Sequence, residues 1–264
     1  MIREGRFRHR GAELVYDDAG EGPLAVYAHG GFVSQAAEDR MGLFPWAPVV
    51  AAGQRLVRYD ARGHGRSTGD PVDTDYTYPS LAWDLLALLD HLHATEPVAA
   101  MGASMGCGTV LHAAALTPDR FSRLVLLIPP TAWTTREAHA RANWESADTV
   151  EREGLDAWLA TRAQQPRPAV VADVPQLPPT PAAGLLPAIL RGLARSDLPS
   201  PTAVATLGQP TLVLGWAGDP GHPLSTAETL ARLLPRAELH VSETRTDILT
   251  WGNRIAEYLS RSRP

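Results

Sequence analysis

The sequence predicts an α/β protein built on a mostly parallel, doubly wound sheet of about eight strands. Three observations lead there: short apolar runs alternate with stretches of helical spacing, a glycine-flanked serine directly follows one of those runs, and a proline-rich stretch without strand character interrupts the alternation. At 264 residues, 44% hydrophobic and 20% charged, the chain is long enough for one large domain with room for an insertion.

In chain order, segments around Phe7 and Leu14 to Tyr16 read as an antiparallel edge hairpin. Apolar runs at 26–28, 56–59, 98–101, 124–128 and 211–214, bounded by turn residues, read as strands buried on both faces. Helical spacing at 78–93 and 104–116 lies between them, implying right-handed crossovers. From 134 to 206 no strand-like run appears, and prolines gather at Pro166, Pro168, Pro175, Pro178, Pro179 and Pro181. Helical pieces at 138–143, 150–162 and 185–195 flank them, so 134–206 reads as a mobile helical cap inserted in a core of 1–133 and 207–264. A helix at 226–234, a strand at 237–241 and a helix at 251–259 close the fold.

Composition excludes several functions. The formal net charge of −5 without a basic block argues against nucleic acid as a partner. Every basic residue other than histidine is arginine, which removes Schiff-base chemistry, pyridoxal phosphate anchoring and a Walker A loop. The opening MIREGRFRHR lacks an apolar core for a secretory signal, and no apolar run reaches the roughly 20 residues of a membrane span. The single Cys107 cannot form an internal disulfide and reads as a packed hydrophobe; the expected location is cytoplasmic.

The chemistry centres on Ser104 in Gly102-Ala103-Ser104-Met105-Gly106. A nucleophilic hydroxyl at the end of a strand needs a turn so tight that its neighbours are nearly free of side chain, and a following helix aims free N–H groups at a developing oxyanion. The loop His29-Gly30-Gly31-Phe32 offers a second donor, so the Gly31 N–H, with Phe32 beside it, is expected to pair with the Met105 N–H as an oxyanion hole.

HGGF at 29–32, YDARGHGRS at 59–67, GASMG at 102–106 and GDPGHP at 218–223 occur in order over nearly the whole chain. With these motifs the chain resembles the α/β-hydrolase superfamily, among small capped bacterial esterases, enol-lactonases and cofactor-free haloperoxidases. That resemblance implies acyl transfer to water with no metal and no organic cofactor, and it carries the acid of a triad onto Asp219. In YDARGHGRS, Asp60, Arg62, His64 and Ser67 are expected to knit a polar loop instead.

The family's histidine belongs in the loop after the last strand, which here reads Ser242-Glu243-Thr244-Arg245-Thr246-Asp247 with no imidazole. His112 lies two helical turns past Ser104, about 12 Å down the axis. His240 precedes the active end of its strand, and His139 reaches the pocket only beneath a closed lid. His222, in the loop of Asp219, is therefore the candidate base, with Asp247 or Glu243 as the alternative. A carboxylate suits abstraction of a proton more acidic than that of a serine hydroxyl.

The expected function is serine-dependent hydrolysis of a small or medium apolar ester, lactone or thioester. A lyase, isomerase or cyclase using Asp247, or a ligand-binding pseudoenzyme without a base, stands as the alternative. Trp133, Trp144, Trp158, Leu185, Leu186 and Leu190 either pack the cap onto the core or line an apolar pocket, and Arg136, Arg141 and Arg191 either sit on solvated helix faces or meet an acidic substrate group. A homodimer is left open.

Overall fold

A computed structural model describes residues 2–165 and 167–261; Met1, Pro166 of the proline cluster and residues 262–264 lie outside the described set. Eight strands form one sheet: β1 (Ile2–His9), β2 (Ala12–Ala19), β3 (Leu24–Ala28), β4 (Arg55–Tyr59), β5 (Val98–Ala103), β6 (Phe121–Leu127), β7 (Thr211–Trp216) and β8 (Ala237–Ser242). Their spatial order is β1-β2-β4-β3-β5-β6-β7-β8, with β1–β2 and β2–β4 antiparallel and the remaining pairs parallel.

The continuous apolar runs follow from burial on both faces. Val26 and Ala28 of β3, with Leu124 and Leu126 of β6, face one apolar core; Ala25 and Tyr27, with Val125 and Leu127, face the other. Alternate residues of a strand thus feed opposite cores.

The helices are α1 (Gln35–Met41), α2 (Ala47–Ala51), α3 (Tyr78–His91), α4 (Met105–Leu116), α5 (Arg136–Glu153), α6 (Leu155–Ala163), α7 (Leu186–Ala194), α8 (Pro201–Ala205), α9 (Leu224–Leu233), α10 (Arg245–Ile248) and α11 (Trp251–Ser260). Four of them, α5 to α8, lie between β6 and β7. There the sequence expectation needs correction, because α5 runs unbroken through 138–153 and the break falls at Gly154, with φ of 91°. Ala147 and Val150 of α5 bury against Trp158 of α6 and Leu186 and Leu190 of α7, a third and smaller apolar cluster.

Polar contacts fix the loops at the carboxyl ends of β3 and β4. Arg62, fully buried, donates from Nε and Nη2 to the Asp84 carboxylate at 3.0 and 2.7 Å and from Nη1 and Nη2 to the carbonyls of Arg10 and His9. Asp60 accepts from the Gln35 N–H at 3.0 Å and from the Arg66 N–H and Nε at 3.1 Å. His29 donates from Nδ1 to the Gly30 carbonyl at 2.7 Å and accepts the Ala61 N–H on Nε2 at 2.9 Å. Burial lowers the His29 pKa, in keeping with a neutral ring that both donates and accepts.

Beneath this loop lies a buried carboxyl. Glu38 of α1 is 4% exposed and receives the Tyr27 hydroxyl at 2.9 to 3.0 Å and the Gly30 N–H at 3.4 Å. Burial pushes its pKa from 4.5 up to about 7, against the pull of the Tyr27 and Gly30 hydrogen bonds and the Arg58 charge. Between those two values the folded protein keeps a proton that the unfolded chain has lost, so this group's contribution to stability falls as pH rises. Glu38→Gln is therefore expected to gain stability relative to wild type from pH 4.5 to 7, by on the order of 3 kcal/mol, and to hold a constant difference above that window. Denaturant melts of both proteins across the window check the sign.

Candidate active site

Ser104 occupies the junction between β5 and α4, with φ of 50° and ψ of −111°. A side chain in this sparsely populated region costs about 1–3 kcal/mol, and the neighbours explain why it persists. The Ser104 N–H donates to the Leu127 carbonyl of β6 at 3.0 Å, and its own carbonyl accepts the Cys107 N–H at 2.9 Å. A β-carbon at Gly106 would come within 2.0 Å of the Ala28 carbonyl, and one at Gly102 within 2.2 Å of the Gly106 carbonyl. Glycine is required at both places by close backbone approach. Cys107 is fully buried and its thiol donates to the Gly102 and Leu127 carbonyls at 3.0 and 3.2 Å; burial pushes its pKa far up, leaving a packed thiol.

The partner of Ser104 comes from the loop between β7 and α9. The His222 N–H closes a turn onto the Asp219 carbonyl at 3.2 Å, with Pro220 and Gly221 between them. This turn folds the imidazole back over its own acid: His222 Nδ1 donates to Asp219 Oδ2 at 2.8 Å. Nε2 of the same ring lies 2.7 Å from Ser104 Oγ. With Nδ1 carrying the proton toward the carboxylate, Nε2 is left to accept the serine hydroxyl. The Gly221 carbonyl accepts the Thr131 N–H at 3.2 Å, anchoring the loop to the chain beyond β6.

Asp219 collects two more donors, the Trp216 indole N–H on Oδ2 and the Gly221 N–H on Oδ1, both at 2.9 Å. Burial alone would raise its pKa, but the His222 contact, the Trp216 indole and the Gly221 N–H together hold it at about 2. Sequence reasoning missed Trp216; the available signal was a tryptophan at the inner end of a strand, whose buried N–H requires a partner. Trp216 also meets the His222 ring edge-on at 6.2 Å between centroids and stacks on Trp251 at 6.0 Å.

The other candidate base is engaged elsewhere. Asp247, in α10, accepts on Oδ2 from His240 Nε2 at 2.9 Å, and Glu243 is exposed. Burial would raise the Asp247 pKa, yet Ser242 and His240 more than cancel that and hold it below its ordinary range. The last loop thus has its own closed cluster, completed by the Trp251 indole donating to Ser242 Oγ at 2.8 Å. His112 donates from Nε2 to the Asp197 carbonyl at 2.9 Å, away from the serine.

A cavity of about 700 Å³ opens beside the site, lined by Gly31, Phe32, His139, Arg162, Asp219 and His222 among others. His139 belongs to this wall as the chain stands; burial, with the Arg136 and His222 charges, lowers its pKa to about 4 and keeps it neutral. Its apolar lining comes from Phe32, Val33, Met41, Leu159 and Leu177, while the tryptophans and leucines that the sequence offered for either a pocket or cap packing are placed elsewhere. Trp158, Leu186 and Leu190 are buried in the cluster between α5, α6 and α7, Trp133 donates its indole N–H to the Pro199 carbonyl at 3.0 Å, and Trp144 lies under Arg191 and Arg195. Leu185 packs against the main core.

The glycine loop passes close to the elbow. A β-carbon at Gly30 would lie 3.6 Å from Ser104 Cβ, and one at Gly31 4.0 Å from Met105 Cβ. Phe32, with φ of 65°, has its carbonyl fixed by the Thr180 N–H at 2.9 Å. Met105 opens α4, so its N–H has no partner within the helix. Among the described residues no group of three or more His, Cys, Asp or Glu could hold a metal, and no helix is long and apolar enough to cross a membrane.

Residues 26–246 match the family model described as the alpha/beta hydrolase fold. The 3-oxoadipate enol-lactonase 1 of Acinetobacter baylyi is 31% identical over 196 residues, 69% of either chain. An epoxide hydrolase of Caballeronia sordidicola is 30% identical over 49% of this chain, a match that spans only 38% of that relative's length. The crystal structure of the enol-lactonase from Burkholderia xenovorans LB400 superposes with a TM-score of 0.77, covering 97% of this chain and all of that one at 23% identity, a likeness of fold. With eight strands in this order, a serine at the β5–α4 turn and a family match over most of its length, the chain belongs to the α/β-hydrolase family.

Proposed function

We propose that the chain hydrolyses an ester or lactone with Ser104 as nucleophile, His222 as general base and Asp219 as the group that orients it. The single observation that carries this reading is the unbroken line from Ser104 Oγ through His222, at 2.7 Å, to the Asp219 carboxylate, at 2.8 Å. Similarity to an enol-lactonase over two thirds of both chains supports the substrate class.

Ser104 Oγ attacks the carbonyl carbon as its proton passes to His222 Nε2, and the Asp219 carboxylate balances the resulting imidazolium. The carbonyl π pair moves onto oxygen, where the Met105 N–H and the N–H groups of the Gly31–Phe32 loop stabilise it. Collapse expels the alcohol oxygen, which takes the proton from Nε2. Water then enters by the same steps in reverse and frees the acid. Residues 134–206 serve as a lid over this centre, contributing His139 and Arg162 to the cavity wall. The lyase and pseudoenzyme alternatives needed a missing imidazole, and the His222 contact favours hydrolysis over both.

A fluorophosphonate probe is expected to label Ser104, with labelling absent in Ser104→Ala and ester turnover reduced about 10³- to 10⁶-fold in His222→Ala. Folded wild-type protein that takes up no probe contradicts the proposal. Asp219→Asn is expected to lower kcat about 10³- to 10⁴-fold at unchanged fold, because an amide no longer fixes the Nδ1–H tautomer. Its stability deficit also has a defined sign. The depressed Asp219 pKa stabilises the wild type above the ordinary value of 3.8, and that contribution vanishes as pH falls through about 2. The difference between the two proteins in acid titrations followed by circular dichroism should close over that window.

A further inference from the structure

The arginines of the helical excursion differ in what they meet. Arg136 donates to the carbonyls of Ser196 and Leu193 and to Thr131 Oγ1, Arg141 pairs with Glu137, and Arg191 pairs with Asp148 and Glu151. Each of the three candidates for an acidic substrate group is thus committed within the protein. Arg167, also on the cavity wall, donates to the carbonyls of Val171, Ala172 and Val174.

Arg162 is the exception. It lines the cavity that holds Asp219 and His222, and no carboxylate or carbonyl among the described residues accepts from its guanidinium. Two rings hold the group in place: its Cζ lies 4.9 Å from the Trp158 ring centroid and 5.4 Å from that of Phe32, the neighbour of the Gly31 loop. Arg162 is exposed to solvent on one side, and its partial desolvation lowers the pKa of the cation, with no acid to offset it among the described residues. A cation stacked on rings and left without an anion among the described residues, on the wall of the cavity that Asp219 and His222 also line, has its five donors free for a ligand.

We infer that Arg162 forms an anion-binding subsite that recognises a carboxylate carried by the substrate, which makes the preferred substrate an ester or lactone of a dicarboxylic acid. The substrate assignment rests on the hydrolytic reading above; the anion subsite stands without it. One guanidinium matches one carboxylate in fork-to-fork geometry. A phosphate dianion would leave a charge unbalanced in a cavity that already contains the ionised Asp219. The neutral His139 on the same wall adds a hydrogen-bonding group without adding charge.

The test compares para-nitrophenyl hemiglutarate with para-nitrophenyl valerate, a pair that differs in the terminal carboxylate. Wild type is expected to favour the hemiglutarate in kcat/KM, and Arg162→Gln to reduce that preference about tenfold or more, mainly through KM. Arg162→Lys, which keeps the charge and loses the fork, is expected to retain part of the preference. A preference ratio in Arg162→Gln within about twofold of wild type overturns the proposal.

Calorimetric titration of glutarate into Ser104→Ala, with and without Arg162→Gln, reads the subsite independently of turnover. Binding that is lost with the arginine supports it; no binding, or equal binding to both, overturns it. Inorganic phosphate bound more tightly than glutarate overturns the carboxylate assignment. Glutarate binding that depends on Arg162, in a protein that cleaves neither ester, leaves the subsite standing and refutes the hydrolytic reading.

Discussion

A four-residue turn holds the site together. Asp219 and His222 are three positions apart, and closure of that turn places the imidazole between its own acid and a serine that is 118 residues away in sequence. Because both groups ride on one loop at the end of β7, their mutual geometry is set locally, by Pro220, Gly221 and the N–H groups that bind the carboxylate. Their position relative to Ser104 is set by the sheet, through the pairing of β5 with β6 and of β6 with β7. Ser104 needs the parallel sheet; His222 and Asp219 need little beyond the turn and Trp216.

This arrangement explains the contents of the last loop. Where the family pattern leads one to expect a histidine, the chain has Asp247, and that carboxylate is held by His240 from within β8. The loop is left with a structural cluster in which Ser242 is buried and Trp251 donates to it. Trp251 in turn stacks on Trp216, which donates to Asp219. The last loop still reaches the site, through an aromatic stack instead of through an imidazole.

Much of the fold was legible in the sequence because burial on both faces writes a strand as a continuous apolar run. The elbow was legible because close backbone approach at Gly102 and Gly106 admits only glycine. The helical excursion was less so. Trp158, Leu186 and Leu190 look alike in sequence whether they line a pocket or pack against one another, and only the pairing of α5 and α6 with α7 distinguishes the two. Arg162 was missed for a related reason: a cation without an anionic partner among the described residues is defined by what fails to surround it, which no local pattern records. His222 could be reached by elimination, whereas its distance to Ser104 depends on a crossover that spacing cannot supply.

Chemical rescue tests the placement of the base most directly. In His222→Gly, hydrolysis of a nitrophenyl ester should be nearly abolished and then restored in part by added imidazole, with a dependence on pH that follows the free imidazole. The Asp219 carboxylate remains to orient the added ring, so rescue should disappear when Asp219→Asn is combined with His222→Gly. If imidazole restores nothing in His222→Gly while Asp247→Asn alone abolishes turnover, the base lies at the end of β8 and the β7 loop is not the catalytic one.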